Sequence, residues 1–263
     1  MLRTEIENTL LLFFACAFLG WLMEVICQFV HFRRFINRGF LIGPYCPIYG
    51  FGAVLICRLL SRFTGDPLAV FALALIMCGS LEYITSYLME KLFHARWWDY
   101  SQKPFNLNGR ICAGTLIPFG LLGLIIIYWV KPFFFGVFSL MNAQVRSVLC
   151  ALLSAALLAD LIVSMRVLSK IRIAANLSHA DNTESITLAV REKLIEQGRL
   201  VRRTLRAFPY ARLYSNQLLA NMKAERQRLK AEAREKARAL RQEINRRDTA
   251  LRQELKRLRI RGK

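Results

Sequence analysis

Five apolar runs fill the first 168 of this chain's 263 residues, and each is long enough, or nearly so, to cross a bilayer. A helix needs about 20 mainly apolar residues for that, because it rises about 1.5 Å per residue through a hydrocarbon core of about 30 Å. The runs cover residues 9–31, 44–60, 67–89, 111–130 and 147–165. In lipid, backbone N–H and C=O groups must bond within their own segment, so such runs become helices. The expected fold class is all-α: a polytopic membrane protein of about five transmembrane helices with a long, basic, C-terminal cytoplasmic helical tail. The second run is the least regular, with Pro44, Pro47, Gly50 and Gly52 crowded into its first half. Such a start is a loop folded into the protein or a kinked helix. Residues 132–141 are too short to span and read as an interfacial turn.

Composition separates two regimes. The chain is 55% hydrophobic yet carries a formal net charge of +20. Those values conflict for one soluble domain, but not where residues 1–168 form a transmembrane domain and 169–263 a charged tail. The first apolar run contains Glu24, ends at His31 and lacks a small-residue cleavage site, so a cleavable signal peptide is not expected. Basic residues in the short loops set the orientation. Arg33, Arg34 and Arg38 follow the first run, Lys91, Arg96, Lys103 and Arg110 the third, and Arg166, Lys170 and Arg172 the fifth. The opposite connections hold Arg58 and Arg62 with Asp66, and Lys131 with Arg146. This bias places the N-terminus outside and the tail inside a plasma membrane.

With that topology, Glu24, Glu82 and Asp160 lie at similar depth, each about 13–15 residues into a run that travels inward. A carboxylate facing lipid costs about 2.5 kcal/mol or more, so each should face the bundle and find a partner. Arg38 and Arg110 start the second and fourth helices near that level. A polar cluster in the inner half of the membrane is the expectation.

The stretch Trp97-Trp98-Asp99-Tyr100, continuing through Asn106, Asn108 and Arg110, is polar and aromatic between two apolar runs. Trp97 and Trp98 read as interfacial anchors. Arg110 could grip a phosphate or carboxylate with two prongs, or neutralise Glu24, Glu82 or Asp99. The seven cysteines lie in or beside apolar runs without CxxC spacing, and His31, His94 and His179 lie far apart. They read as packing residues, with no metal site and no cofactor expected. The chain has no GxxxxGK[ST], HExxH, GxSxG or GxGxxG signature, so no catalytic residue is assigned.

In the tail, Asp181-Asn182-Thr183-Glu184 reads as a helix start, and Pro209 interrupts that helix. Leu229, Ala233, Leu240, Ile244, Leu251 and Leu255 then follow an eleven-residue repeat, which favours a nearly straight helix pair. From Lys223 onward there are sixteen basic and six acidic residues, a net of +10. Such a helix suits pairing with its own copy in a coiled coil or resting on anionic lipid, with nucleic acid the least expected partner.

Several strings resemble one bacterial family. These are Phe18-Leu19-Gly20-Trp21-Leu22-Met23-Glu24, Asn37-Arg38-Gly39-Phe40-Leu41, Gly43-Pro44, Cys46-Pro47-Ile48-Tyr49-Gly50, Glu82-Tyr83, Glu90-Lys91, Trp97-Trp98-Asp99-Tyr100-Ser101 and Pro104-Phe105-Asn106-Leu107-Asn108-Gly109-Arg110-Ile111. Together, over residues 9–165, they resemble the ABC-transporter permease family of the CmpB type. The resemblance implies a multi-pass protein of the bacterial plasma membrane, a separate ATPase subunit docked on residues 91–110, and a homo-oligomer, because five spans are few for one permease half. Two other readings stand beside it. One is a membrane enzyme acting on a lipid headgroup, with Asp99 or Glu24 as base and Arg110 on phosphate. The other is a scaffold recruiting partners through its tail.

Overall fold

The computed structural model describes residues 2–33, 35–176, 186–188, 190, 199–208, 211–215, 218, 220–225, 227–238 and 241. The helix start at 181–184, Pro209, and the repeat positions Leu240, Ile244, Leu251 and Leu255 lie outside the described residues. The chain divides into two compact units, Met1–Ser215 and Asn216–Lys263. In the second unit the described residues are helical, with an exposed Arg228–Glu232 ion pair of 3.3 Å one turn apart.

The first unit is a helical bundle. Helix α1 (Leu2–Phe32) packs on α2 (Pro47–Leu59), and α3 (Pro67–Phe93) packs on α4 (Ala113–Ile125). A π-turn (Ile126–Val130) joins α4 to α5 (Lys131–Ser139), and α6 (Ala143–Asn176) follows. A short helix α7 (Arg199–Ala207) follows, and the described residues also hold two-residue strands. Strands β1 (Ala95–Arg96) and β4 (Arg212–Leu213) pair antiparallel, as do β2 (Asn106–Leu107) and β3 (Ile111–Cys112).

Four of these passes are long and apolar enough to cross a membrane: Leu2–His31, Pro67–Phe93, Ala113–Ser139 and Ala143–Asn176. The fold is thus all-α and polytopic. The apolar run at 44–60 contributes only the thirteen-residue α2, about 20 Å long and short of the bilayer core. Pro47 starts that helix, where its missing N–H costs nothing, and residues 35–46 form an irregular loop leading into it.

The turn expected at 132–141 is instead helix. Lys131 N–H donates to the carbonyl of Ile126, five residues back, and this widened turn absorbs Pro132, which lacks a donor. The helix therefore continues through Ser139.

Apolar packing is concentrated between helices. Leu11, Leu12, Cys16, Ala53, Cys57, Phe138 and Cys150 form one cluster, and Ile56, Leu60, Val70, Ala74 and Ile127 another. On α6, Val148, Leu152, Leu158 and Ile162 point outward, as a helix bathed in lipid should. The α1–α2 contact is close because Gly50 has no side chain. A Cβ there would lie 2.6 Å from the carbonyl oxygen of Phe13, a backbone atom that cannot rotate away.

Gly50→Ala should therefore lower the thermal unfolding midpoint of the detergent-solubilised protein, with an overpacking cost of about 1–3 kcal/mol. Gly136→Ala, inside α5 where a Cβ meets nothing within 4 Å, should not lower the midpoint and should raise it slightly, because alanine favours the helix by about 0.5–1 kcal/mol over glycine.

Candidate functional site

The polar groups gather at one end of the bundle, where α1, α3 and α6 finish and α2 and α4 begin. The strongest local arrangement is built on Asp160 of α6. Its Oδ1 accepts from the amide of Ile42 (2.9 Å) and the hydroxyl of Ser164 (2.9 Å). Its Oδ2 accepts from the amide of Gly43 (2.7 Å) and the hydroxyl of Tyr45 (2.7 Å). One carboxylate thus satisfies two backbone donors of a loop that has no ladder of its own. Asn37 pins the same loop from inside. Its Oδ1 accepts from the Trp21 indole (2.7 Å), while its amide donates to the Ile42 carbonyl (3.1 Å). Cys46 N–H donates to the carbonyl of Ala17 and closes the loop onto α1.

Glu24 takes a different partner set. Tyr49 donates its hydroxyl to Oε1 (2.8 Å), and Arg38 Nε lies 3.7 Å from Oε2. Arg38 Nη1 donates to the carbonyl of Ala207 (2.6 Å), and its guanidinium stands over the Phe208 ring. Glu82 is buried within α3. Tyr100 donates to its Oε1 at 3.4 Å, and Oε2 has no donor among the described residues. The three carboxylates expected as one cluster share the same end of the bundle but hold separate partners.

The segment from His94 to Cys112 is a charge-locked hairpin. Asn108 and Gly109 both have positive φ, 54° and 67°, and the Arg110 amide donates to the Leu107 carbonyl across them (3.0 Å). That geometry is why Asn-Gly stands there. Asn106 donates to the carbonyls of Ser101 and Lys103 and accepts from the Gly109 amide, so it braces the loop from within. Asn108 donates to the Tyr83 hydroxyl (2.8 Å), tying the tip to α3. Trp98 donates its indole N–H to the Arg110 carbonyl (3.1 Å). Trp97 is 5% exposed and packs edge-on against Phe208, so its ring lies inside the protein rather than among headgroups.

Arg110 pairs with none of the acids proposed for it from sequence. Its Nη2 lies 3.1 Å from Glu90 Oε2, Nη1 donates to Ser86, and the Tyr83 and Tyr87 rings flank it. The same Glu90 oxygen accepts from Arg96 Nε (2.9 Å), and Arg96 reaches on to Asp99 at 3.5 Å. Arg212 of β4 closes the chain at 3.0 Å from Asp99 Oδ2. Burial pushes the Asp99 carboxyl up, but the Ser101 hydroxyl and amide, with Arg212 and Arg96, outweigh it and hold the group below the usual carboxylate range.

Sequence reasoning passed over Arg203 and Arg212, which lay in what read as a basic tail, and took Glu90 as an interfacial charge near Lys91 and Arg96 without its bond to Arg110. It also passed over Glu7, which Arg3, Arg146 and Ser147 surround at the opposite end of the bundle. That end carries a cavity of about 460 Å³, lined by Glu5, Thr9, Arg58 and Lys131 among others. Arg58 and Lys131 there are already bonded to Thr9 and Ser61. Among the described residues no His, Cys, Asp and Glu cluster could hold a metal ion.

An apolar bundle with the carboxylates of Glu24, Glu82 and Asp160 gathered at one end and a locked hairpin between two spans defines a polytopic helical membrane protein. The chain belongs to the family described as "Putative ABC-transporter type IV", of the CmpB type, whose sequence model matches residues 11–165. No curated protein and no solved structure matches it.

Two outcomes follow from the site. Asp160→Ala removes the acceptor for four donors at once and should destabilise the protein by about 2–4 kcal/mol, against about 1 kcal/mol for Tyr45→Phe, read from unfolding midpoints in detergent. Asp99 has a folded pKa below its unfolded value of about 3.9, so its stabilisation is complete above about pH 4 and disappears as pH falls through the folded pKa. Hydrogen exchange over residues 95–100 should rise in that acidic window, and Asp99→Asn should remove the dependence.

Proposed function

We propose that this chain is the permease-like membrane subunit of an ABC-type transporter, working as a dimer with a separate ATPase. The hairpin end of the bundle faces the cytoplasm of a bacterial cell in this reading. The observation that carries it is the exposed turn of the hairpin segment just before β2. Phe105 is 89% exposed there, in a left-handed conformation at φ 51°, with Lys103 exposed beside it. A bare aromatic on a loop held by Asn106, Asn108 and Arg110 is already ordered, so docking a partner on it costs little conformational entropy. Buried aromatics are also what interface cores favour. The family match and the absence of any nucleotide-cradling loop in this chain both support a second, ATP-hydrolysing subunit.

The headgroup-enzyme reading has weaker support. Asp99 is held by Arg96, Arg212 and Ser101, and Arg110 by Glu90 and Ser86, which leaves neither a free base nor a free phosphate grip in the hairpin. The basic tail beyond Asn216 rests on anionic lipid of the inner leaflet in the proposed arrangement.

Purification of a tagged chain from native membranes in mild detergent should bring down an ATPase in stoichiometric amount. Phe105→Ser should abolish that recovery while leaving membrane abundance and unfolding midpoint unchanged. Recovery of an ATPase by the Phe105→Ser protein as well would remove the hairpin from the docking surface, and no ATPase from either would end the transporter-subunit reading.

A further inference from the structure

Arg203 sits on α7, beyond the residues the family model matches, and it turns inward. Its Nε, Nη1 and Nη2 are all buried, and none has an acceptor among the described residues. Burial pulls its pKa below the usual arginine range, while the nearby Asp160 carboxylate and Cys46 thiol pull the other way. Asp160 does not take up these donors, because its two oxygens already accept from Ile42, Gly43, Tyr45 and Ser164. Arg38 approaches the same place from the loop before α2. Both guanidiniums act on the Cys46 thiol, and Arg38 Nε is likewise buried without a hydrogen-bond partner among the described residues.

A buried guanidinium that bonds to nothing loses its water without compensation, which costs several kcal/mol. Native proteins leave such groups where a bound ion or a function answers for them. Five N–H donors in a planar fork match a tetrahedral oxyanion, which offers several acceptor oxygens at once.

We propose that Arg203 and Arg38 bind a phosphate group beside Cys46, either free phosphate or the phosphate of a phospholipid headgroup. Glu24 faces the same place and opposes a second negative charge, so a singly charged phosphate is the better fit. The donors are buried, with Arg203 carried on α7 and the Phe208 ring against Arg38, so the ligand enters only when α7 and the loop before α2 part. Three contacts hold α7 and β4 in place: Arg38 to the Ala207 carbonyl, the β1–β4 pairing, and Arg212 to Asp99. The site does not depend on the transporter reading, since α7 lies outside the matched residues.

The test uses the full chain purified in mild detergent, as wild type, Arg203→Gln, Arg203→Lys and Arg206→Gln. Arg206 is exposed on the same helix and serves as the control for surface charge. Retained phospholipid is measured by mass spectrometry, and radiolabelled inorganic phosphate is titrated by equilibrium dialysis after delipidation. Wild type and Arg206→Gln should hold phosphate or phospholipid about ten-fold or more better than Arg203→Gln. Binding of labelled phosphate identifies the free ion as ligand. Retained phospholipid that phosphate does not displace identifies the headgroup. Equal retention by wild type and Arg203→Gln, or equal losses in Arg203→Gln and Arg206→Gln, overturns the site. Should Arg203→Gln fail to accumulate, Arg203→Lys keeps the charge and loses the fork. Weaker binding by that variant supports the proposal, and undiminished binding overturns it.

Discussion

An irregular loop beside a lipid-facing bundle survives only if something replaces the water its backbone has lost. Here that something is the carboxylate of Asp160. Residues 39–45 have no strand partner and no helix, yet the amides of Ile42 and Gly43 end on one charged acceptor carried by α6. A charged acceptor forms shorter and stronger bonds than a neutral one, and in a water-poor setting an unmade bond is costly. Remove it and the loop loses its reason to stay folded inward. The start of α2, the Tyr49–Glu24 bond and the seat of Arg38 all depend on where that loop ends.

The helices were legible because lipid leaves an apolar run of twenty residues almost no alternative. The exceptions are informative. Residues 44–60 are apolar enough to count as a span, but Pro44 and Pro47 delay the helix, and only thirteen residues remain for it. At 132–141 length misled. The stretch is too short to span alone and read as a turn, yet a single widened turn at Ile126–Val130 carries the preceding helix through Pro132. Proline marks a missing donor, and whether that ends a helix depends on the turn before it, which local sequence does not reveal.

The pairing at the polar end was not legible. Depth along the helices put Glu24, Glu82, Asp160, Arg38 and Arg110 at one expected level, and the structure gives them separate partners. Depth alone cannot say which side of a helix meets which loop. Arg110 follows the Asn108-Gly109 turn, and that turn folds it back onto α3, where Glu90 and Ser86 lie one turn apart. Arg96 then shares Glu90, and Arg212 reaches Asp99 from more than a hundred residues away. A pairing of that kind follows from β1 meeting β4, two strands of two residues each, which carry no periodic signal.

The hairpin and the Asp160 loop solve one problem with opposite economies of charge. In the hairpin, Arg96, Arg110 and Arg212 share Glu90 and Asp99, so both acids are paired, while Lys103, Phe105 and Leu107 face outward. Around Asp160 the acid is taken up by neutral donors, amides and hydroxyls, and the buried Arg203 nitrogens beside it find no hydrogen-bond acceptor among the described residues. The loop could have been pinned by Arg203 itself, through a salt bridge to Asp160. Because two amides and two hydroxyls do that work instead, the guanidinium that α7 carries inward remains without an acceptor among the described residues.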